Sequence, residues 1–213
     1  GKDILAGSGQ IDIQANMVAA TRGIEIGHGG AGEVKIHSSA AEHPAINIQA
    51  TTSATADSAI LIGYSAHTWP YTQWKMQFEA TGAGGINIVG TSPNNSTRAS
   101  IEMTGTNVLS REGAILIDGN TRGVNFSQWL WAAGHNIFGS CVAADINAVS
   151  AYGTMCDQTV VTTSSAPITV RGDRIGVWQD TRFLTFRTTG DLVVEPRSAN
   201  FSQNLDFYAN LGR

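Results

Sequence analysis

The sequence predicts an all-β protein built as a β-solenoid, in which short strands wind in successive coils around one apolar core. Two features of the chain indicate this architecture. Short apolar–x–apolar triplets recur along it, and the stretches between them are filled by Gly, Ser, Thr and Asn, with almost no extended helical periodicity. A single coil cannot bury its apolar face alone, so neighbouring coils must stack on one another.

Ten triplets place two side chains on one face of a strand and one on the other. Their centres are 9 to 16 residues apart, so the unit is constant although its period is loose. They occupy residues 11–13, 24–26, 34–36, 46–48, 60–62, 76–78, 86–88, 101–103, 115–117 and 124–126. A β-sandwich also contains many short strands, but its strands are usually longer and more charged outside, so we favour the solenoid.

The glycines of TGAGGINIVGTS, at residues 81–92, raise the alternative of a phosphate-binding loop. In such a loop the glycines follow a strand and open a helix whose N-terminus holds the phosphates. Gly82, Gly84 and Gly85 instead precede a strand, and no Lys-Ser or Lys-Thr pair completes the motif. We therefore predict that they form a corner of one coil.

The solenoid is expected to continue to the end of the chain, so that residues 1–213 form a single domain. Apolar strand patterns return at residues 168–170, 175–177, 183–186 and 192–194. The pattern Arg-x-x-Asn-Phe-Ser-Gln-x-Leu also occurs twice, from Arg122 and from Arg197, which indicates equivalent corners in different coils. Residues 128–158 interrupt the rhythm and are predicted to be an insertion or an irregular coil. Cys141 and Cys156 lie inside it, either joined as a disulfide or as two buried free thiols.

The composition restricts the classes of partner. Only 14% of the residues are charged, the formal net charge is −4, and no lysine- or arginine-rich block is present, so we expect no nucleic-acid partner. No stretch approaches eighteen consecutive apolar residues, so we expect no insertion into a membrane. The chain starts at Gly1 without an initiator Met or a signal-type segment, so we expect a processed product or a fragment of a longer protein.

An aromatic segment at residues 64–75 is the strongest candidate for a binding surface. It contains Trp69, Tyr71 and Trp74, with His67 and Lys75 beside them. Aromatic rings stack on the flat apolar faces of sugars, and polar neighbours orient the ligand. The alternative is a protruding loop whose rings cover an edge of the core.

No constellation of catalytic or metal-ligating residues is evident, so we expect no enzyme activity, no metal and no cofactor. The five histidines have no paired ligand spacing, and no G-x-S-x-G nucleophile motif occurs. Many β-solenoids cleave acidic polysaccharides with clustered carboxylates. Asp173, Asp180 and Asp191 would form such a cluster if their coils stacked suitably, and solvated carboxylates at turns are the alternative.

Arg171, Gly172 and Asp173 spell the integrin-recognition tripeptide directly after a predicted strand. Recognition requires its presentation at an exposed turn. A solvated corner of the solenoid explains the same three residues.

The chain resembles a segment of the filamentous-haemagglutinin-like exoproteins, the large adhesins of bacterial two-partner secretion. The resemblance is carried by Gly-x-Ile-x-Ile repeats in GSGQIDIQANMVAATRGIEIGHGGAGEVKIHSS and GGINIVGTSPNNSTRASIEMTGTNVLSREGAILIDGN, and it covers residues 1 to about 126. Autotransporter passenger domains and phage tail-spike proteins share this style of repeat.

The resemblance implies a right-handed parallel β-helix that folds at the bacterial cell surface and serves in adhesion or as a stalk. Its partners would be a glycan or protein receptor and, during secretion, an outer-membrane transporter. A receptor-binding protein like a phage tail-spike is an alternative, as is a β-helix lyase or hydrolase. The aromatic segment departs from the plain repeat, and breaks of this kind carry binding loops in such proteins.

Overall fold

The computed structural model describes residues 2–18, 21–27, 32–63, 74–103, 106–126, 158–177 and 184–202. Within these residues the chain forms strands arranged in six successive coils, and each of the first five coils contributes three strands. Coil 1 holds β1 (Lys2–Ala6), β2 (Ile11–Met17) and β3 (Ile24–Ile26), and coil 2 holds β4 (Gly32–Ser38), β5 (Ile46–Thr52) and β6 (Ile60–Ile62). Coil 3 holds β7 (Trp74–Ala80), β8 (Ile86–Thr91) and β9 (Ile101–Met103).

The later coils follow the same plan with shorter strands. Coil 4 holds β10 (Thr106–Ser110), β11 (Ile115–Asp118) and β12 (Val124–Phe126), with a short 3-10 helix at Asn120–Arg122 before β12. Coil 5 holds β13 (Gln158–Thr162), β14 (Ile168–Arg171) and β15 (Ile175–Val177). Coil 6 holds β16 (Leu184–Arg187) and β17 (Leu192–Glu195).

The coils stack into three sheets. Sheet A has the order β1-β4-β7-β10-β13-β16, sheet B runs from β2 through β5, β8, β11 and β14 to β17, and sheet C runs from β3 through β6, β9 and β12 to β15. Every strand pair among the described residues is parallel. The protein is therefore a right-handed parallel β-helix. This confirms the predicted solenoid and excludes the sandwich, which is built from antiparallel strands.

Columns of apolar side chains form the core. The first and third residues of each triplet point inward, and they align from coil to coil. One column in sheet B contains Ile13, Ile48, Ile88, Ile117, Val170 and Val194. Ile48, Ile88 and Ile117 are fully buried. Burying one such side chain contributes about 1.5–3 kcal/mol, so the aligned columns supply the main stabilisation of the stack.

All ten predicted triplets lie in strands, whereas β1, β10 and β13 were missed. Each missed strand has two adjacent apolar residues, such as Val108 and Leu109 in β10. Val108 aligns with the core residue Phe78, whereas Leu109 aligns with Glu79 on the outer face. Because Leu109 is apolar although it lies on the outer face, β10 lacks the alternation of apolar and polar residues from which the strands were predicted.

The predicted glycine corner is confirmed. Gly84 N donates a hydrogen bond to Ala40 O at 3.1 Å in the corner of the preceding coil, and β8 begins directly afterwards at Ile86. A Cβ at Gly82 would overlap Ser39 O, and Gly85 has a φ of 70°. Glycine is required because corners of neighbouring coils touch through their backbones.

The two copies of the Arg-x-x-Asn-Phe-Ser-Gln pattern each place a phenylalanine against the core. Phe126 is fully buried, and Phe201 packs against the core as a partly buried residue. The predicted 128–158 insertion lies outside the described residues except for Gln158, which begins β13.

Candidate functional site

Most of the aromatic segment lies outside the described residues. His67, Trp69 and Tyr71 are among the residues that the structure does not describe, as are Cys141 and Cys156. Their predicted roles remain predictions. Trp74 and Lys75 are the first two residues of β7, where they pair with Gly32 and Glu33, so the predicted 64–75 loop ends earlier than expected.

The strand β7 carries part of a polar cluster on the outer face of sheet A, centred on a buried carboxylate. We call Lys35, Gln77, Glu79 and Arg111 the sheet A cluster. Glu79 is only 7% exposed. Its Oε1 lies 3.2 Å from Arg111 Nη2, and its Oε2 lies 3.3 Å from Lys35 Nζ and accepts a hydrogen bond from Gln77 Nε2 at 3.3 Å.

The sheet A cluster joins three coils, because Lys35 belongs to coil 2, Glu79 to coil 3 and Arg111 follows β10 of coil 4. Both carboxylate oxygens of Glu79 are held by cations. Breaking such a pair leaves a desolvated charge, which is why its members act as a structural unit. The arrangement suits a clamp between coils better than an acid or base that must exchange protons with a substrate.

A second ion cluster lies at the end of the sheet B strands. Asp118, Arg171 and Glu195 align across three coils. Asp118 Oδ2 lies 3.6 Å from Arg171 Nη1 and 3.5 Å from Arg197 Nη1, while Arg171 Nε donates to Glu195 Oε1 at 2.6 Å. The Asp118 side chain is 8% exposed, so this network is another clamp between coils.

The integrin-type tripeptide is divided between this clamp and the next corner. Arg171 takes part in the ion cluster, and Gly172 is buried. Asp173 is 6% exposed, and its carboxylate accepts hydrogen bonds from Ser198 N at 2.7 Å and from Ser198 Oγ at 2.6 Å. These contacts do not provide the exposed turn that receptor recognition requires, so we do not propose a site there.

Hydrogen bonding determines the protonation of Asp173. Burial raises the pKa of its carboxyl, but the hydrogen bonds from the Ser198 side chain, the Ser198 backbone and the Arg197 backbone outweigh burial, so that the pKa lies below its ordinary value of 3.8. The carboxylate is therefore ionised at neutral pH and fastens the segment after β17 to the corner of coil 5.

The structure does not bring together Asp173 and Asp191, two of the three carboxylates considered for polysaccharide cleavage. Asp191 directly precedes Leu192, which pairs with Ile168 at the start of β14. Asp173 follows the other end of β14, so the two carboxylates lie at opposite ends of this strand pair. Asp180 lies outside the described residues. Of the two alternatives for Asp173 and Asp191, the structure shows two separate carboxylates, because a four-residue strand lies between them.

Two neighbouring arginines form a different kind of surface at the corner between sheets B and C. Arg122 ends the 3-10 helix of coil 4, and Arg174 directly precedes β15 of coil 5. Burial, followed by the charge of Arg174, lowers the pKa of Arg122. Sequence reasoning did not single out this pair, because only the coil register brings the two residues together.

Two general features of the described residues concern metals and membranes. Within residues 2–202, apart from the undescribed gaps, no group of three or more His, Cys, Asp or Glu side chains is placed to hold a metal ion. No helix in the described part of the chain is long and apolar enough to span a membrane.

Comparison of the chain with protein-family models, with curated proteins and with solved structures gives no match. The resemblance to filamentous-haemagglutinin-like exoproteins therefore remains a prediction from the style of the repeats.

Proposed function

We propose that this β-helix is a secreted or cell-surface bacterial segment that acts as a stalk and binds a glycan or a protein receptor on another cell. The observation that carries the proposal is the use of the buried carboxylates. Glu79, Asp118 and Asp173 each hold neighbouring coils together through cations or hydrogen-bond donors. This use of charge suits a load-bearing rod.

The fold also suits presentation of a binding surface. Corners between strands differ in length from coil to coil, as shown by Ile11, Ile46, Ile86 and Ile115, which occupy one column at unequal sequence spacings. Extra residues are therefore accommodated at corners without disturbing the core. In the sequence, the aromatic segment falls between β6 and β7, and it is the proposed contact with sugar rings.

Binding to immobilised glycans and to intact cells tests this proposal directly. The purified chain should bind a restricted set of glycans or cells, and it should leave acidic and neutral polysaccharides at their original length. Because stacking of one sugar on one ring is weak, on the order of 1 kcal/mol, the assay should present the protein in several copies on a bead.

Depolymerisation of a polysaccharide would instead support the lyase or hydrolase alternative. Asp173→Asn and Asp180→Asn then serve as the diagnostic variants. Loss of cleavage in Asp180→Asn, with an unchanged melting temperature, would replace the adhesive function with an enzymatic one. Binding restricted to one bacterial surface polysaccharide would support the receptor-binding alternative that resembles a phage tail-spike.

Surface exposure is tested separately from binding. An antibody raised against this chain should label intact producing cells, and external protease should remove the label. Labelling only after the cells are permeabilised would contradict the proposed location.

A further inference from the structure

One outer column of sheet A is buried in the middle of the stack and exposed at both of its ends. From coil 1 to coil 6 the column contains Leu5, His37, Glu79, Leu109, Val161 and Arg187. Leu5 is 62% exposed and Arg187 is also exposed, whereas Leu109 and Val161 are only 6% and 7% exposed. We call Leu109 and Val161, in coils 4 and 5, the outer apolar pair.

The position of the outer apolar pair within the sheet does not explain its burial. Leu116 is the matching leucine on the outer face of sheet B in coil 4, and it lies between the neighbouring strands β8 and β14. Leu109 lies between β7 and β13 in the same way. Leu116 nevertheless stays partly exposed, whereas Leu109 is buried. The outer apolar pair therefore has cover beyond its sheet neighbours.

The sheet A cluster does not supply this cover. Its cations surround the carboxylate of Glu79, in coil 3. Arg111, the cation closest to Leu109 along the chain, keeps 43% of its own side chain exposed. Val161 lies one coil farther from Glu79 than Leu109 does and is equally buried. Something apolar and larger than the cluster must lie over coils 4 and 5.

The described elements that pack most closely against the outer apolar pair are strands of the coils themselves. β10 packs against β7 and β13, and β13 packs against β10, β16 and β14. Strands of one sheet meet edge to edge, and β14 follows β13 along the same coil. Cover on an outer face therefore has to come from chain that leaves the coils.

The connection between β12 and β13 has the length and the position that such cover needs. β12 ends at Phe126 and β13 begins at Gln158, so residues 127–157 join them. One coil earlier the same connection, from Met103 to Thr106, takes only residues 104 and 105. Residues 127–157 thus contain far more chain than this turn requires, and they enter sheet A in the coil that holds Val161.

The composition of residues 127–157 matches an apolar surface. The segment contains the runs WLWAA and CVAA, and Asp145 and Asp157 are its only Asp, Glu, Lys or Arg residues. Apolar groups of this size are rarely left in contact with water. Residues 64–73 and 178–183 also lead into sheet A, but these segments are shorter and enter at coils 3 and 6, on either side of the outer apolar pair.

We propose that residues 127–157 dock on the outer face of sheet A and bury Leu109 and Val161 there. The occupant is a segment of this chain because it is long, apolar and joined to the sheet within the covered coils. The proposal does not depend on the adhesive function proposed above. It assigns the outer face of coils 4 and 5 in sheet A to packing within the chain, so an external partner has to bind elsewhere.

Photo-crosslinking of the full chain tests the docking. Photo-leucine carries a diazirine, keeps nearly the size of leucine and is incorporated in place of it. Crosslinks from position 109 should reach residues 127–157, whereas crosslinks from position 116 should not. Trypsin separates the two positions because Arg111 lies between them, and fragment spectra then locate the second residue of each link. An equal mixture of ¹⁵N-labelled and unlabelled chains distinguishes links within a chain from links between copies.

Other crosslinking patterns would overturn the proposal. Links from position 109 to residues 64–73, 178–183 or 203–213, or to a second copy of the chain, would identify a different occupant. Links from position 109 that are confined to β7 and β13 would show that nothing lies on this outer face.

Thiol reactivity supplies a second readout in solution. In a chain that carries Cys141→Ser and Cys156→Ser, Leu109→Cys should react with a maleimide at least about tenfold more slowly than Leu116→Cys, because a buried thiol reacts only after local opening. The melting temperature of each variant establishes that it is folded. Equal rates in two folded variants would contradict the docking.

Discussion

The inner and outer positions of the same strands follow different rules. Along sheet B the inner residues Ile48, Ile88 and Ile117 align with one another, whereas their neighbours Asn47, Asn87 and Leu116 form the adjacent outer column. The inner column retains one side-chain shape because each coil must fit the coil beneath it. The outer column changes in chemistry from coil to coil. Stability is therefore concentrated inside the stack, and specific contacts are free to vary outside.

Replacing an inner residue should produce the largest effect. Ile48→Ala removes a fully buried side chain from the middle of a column, and the surrounding backbone cannot collapse into the space. We expect a loss of about 2–5 kcal/mol in the free energy of unfolding, measured by urea denaturation. A loss below about 0.5 kcal/mol is usual at exposed surface positions. Such a loss would contradict the claim that inner positions contribute more to stability than outer positions.

Replacing a clamp on the outer face should have an intermediate effect. Glu79→Gln preserves the shape of the side chain but leaves Lys35 and Arg111 without their carboxylate. Both cations remain partly exposed to water, so we expect a loss of about 1–2 kcal/mol rather than the larger cost of a fully buried unpaired charge. Glu112→Gln, at an exposed residue after β10, is the control and should leave stability unchanged. Equal stabilities for the two variants would show that the sheet A cluster is not a clamp.

The Asp173 carboxylate should contribute a pH-dependent part of the stability. Because its pKa is lowered in the folded protein, its contribution is complete above the unfolded pKa and disappears as pH falls through the folded pKa. The difference in unfolding free energy between wild type and Asp173→Asn should be constant above about pH 5 and shrink below about pH 4. Asp191→Asn, at an exposed position, supplies the control. A difference that grows on acidification would contradict this assignment.

The smallest effect is expected at Asn47, an outer residue next to Ile48, where the largest effect is expected. Asn47 Nδ2 donates to Asp12 Oδ1 at 2.8 Å in an exposed hydrogen bond. Asn47→Ala should therefore cost less than about 1 kcal/mol, although the residue is adjacent to Ile48. Measured together under the same denaturant conditions, these two variants compare the two faces of one strand. A cost similar to that of Ile48→Ala would mean that the outer column is also part of the core.

The inner columns made the fold predictable from sequence. The rule that inner residues are apolar and alternate with others is local, so it was visible at the ten triplet strands and also at β14, β15, β16 and β17. It failed at β1, β10 and β13, because Ile4 and Leu5, Val108 and Leu109, and Val160 and Val161 place apolar residues on both faces. The corner at Gly82–Gly85 was also predictable, since its glycines precede a strand.

The outer clusters were not predictable, because their members are far apart in sequence. Glu79 meets Arg111 across 32 residues, and Asp118 meets Arg171 only through the register of β11 and β14. That register depends on the lengths of the intervening corners, which follow no fixed period. The same dependence explains why the sequence left open whether Asp173 and Asp191 approach each other and why the Arg122 and Arg174 pair was missed.

The division between a structural interior and a binding exterior is tested most directly by the Trp69→Ala, Trp74→Ala double variant. Its binding to the glycan or cell recognised by the wild type and its melting temperature are measured side by side, with Trp129→Ala, Trp131→Ala as the matched tryptophan pair. We predict that the first variant loses binding at an unchanged melting temperature and that the second retains binding. Retained binding in the first variant would show that these rings are not the contact, and a fall of many degrees in its melting temperature would show that they serve the core.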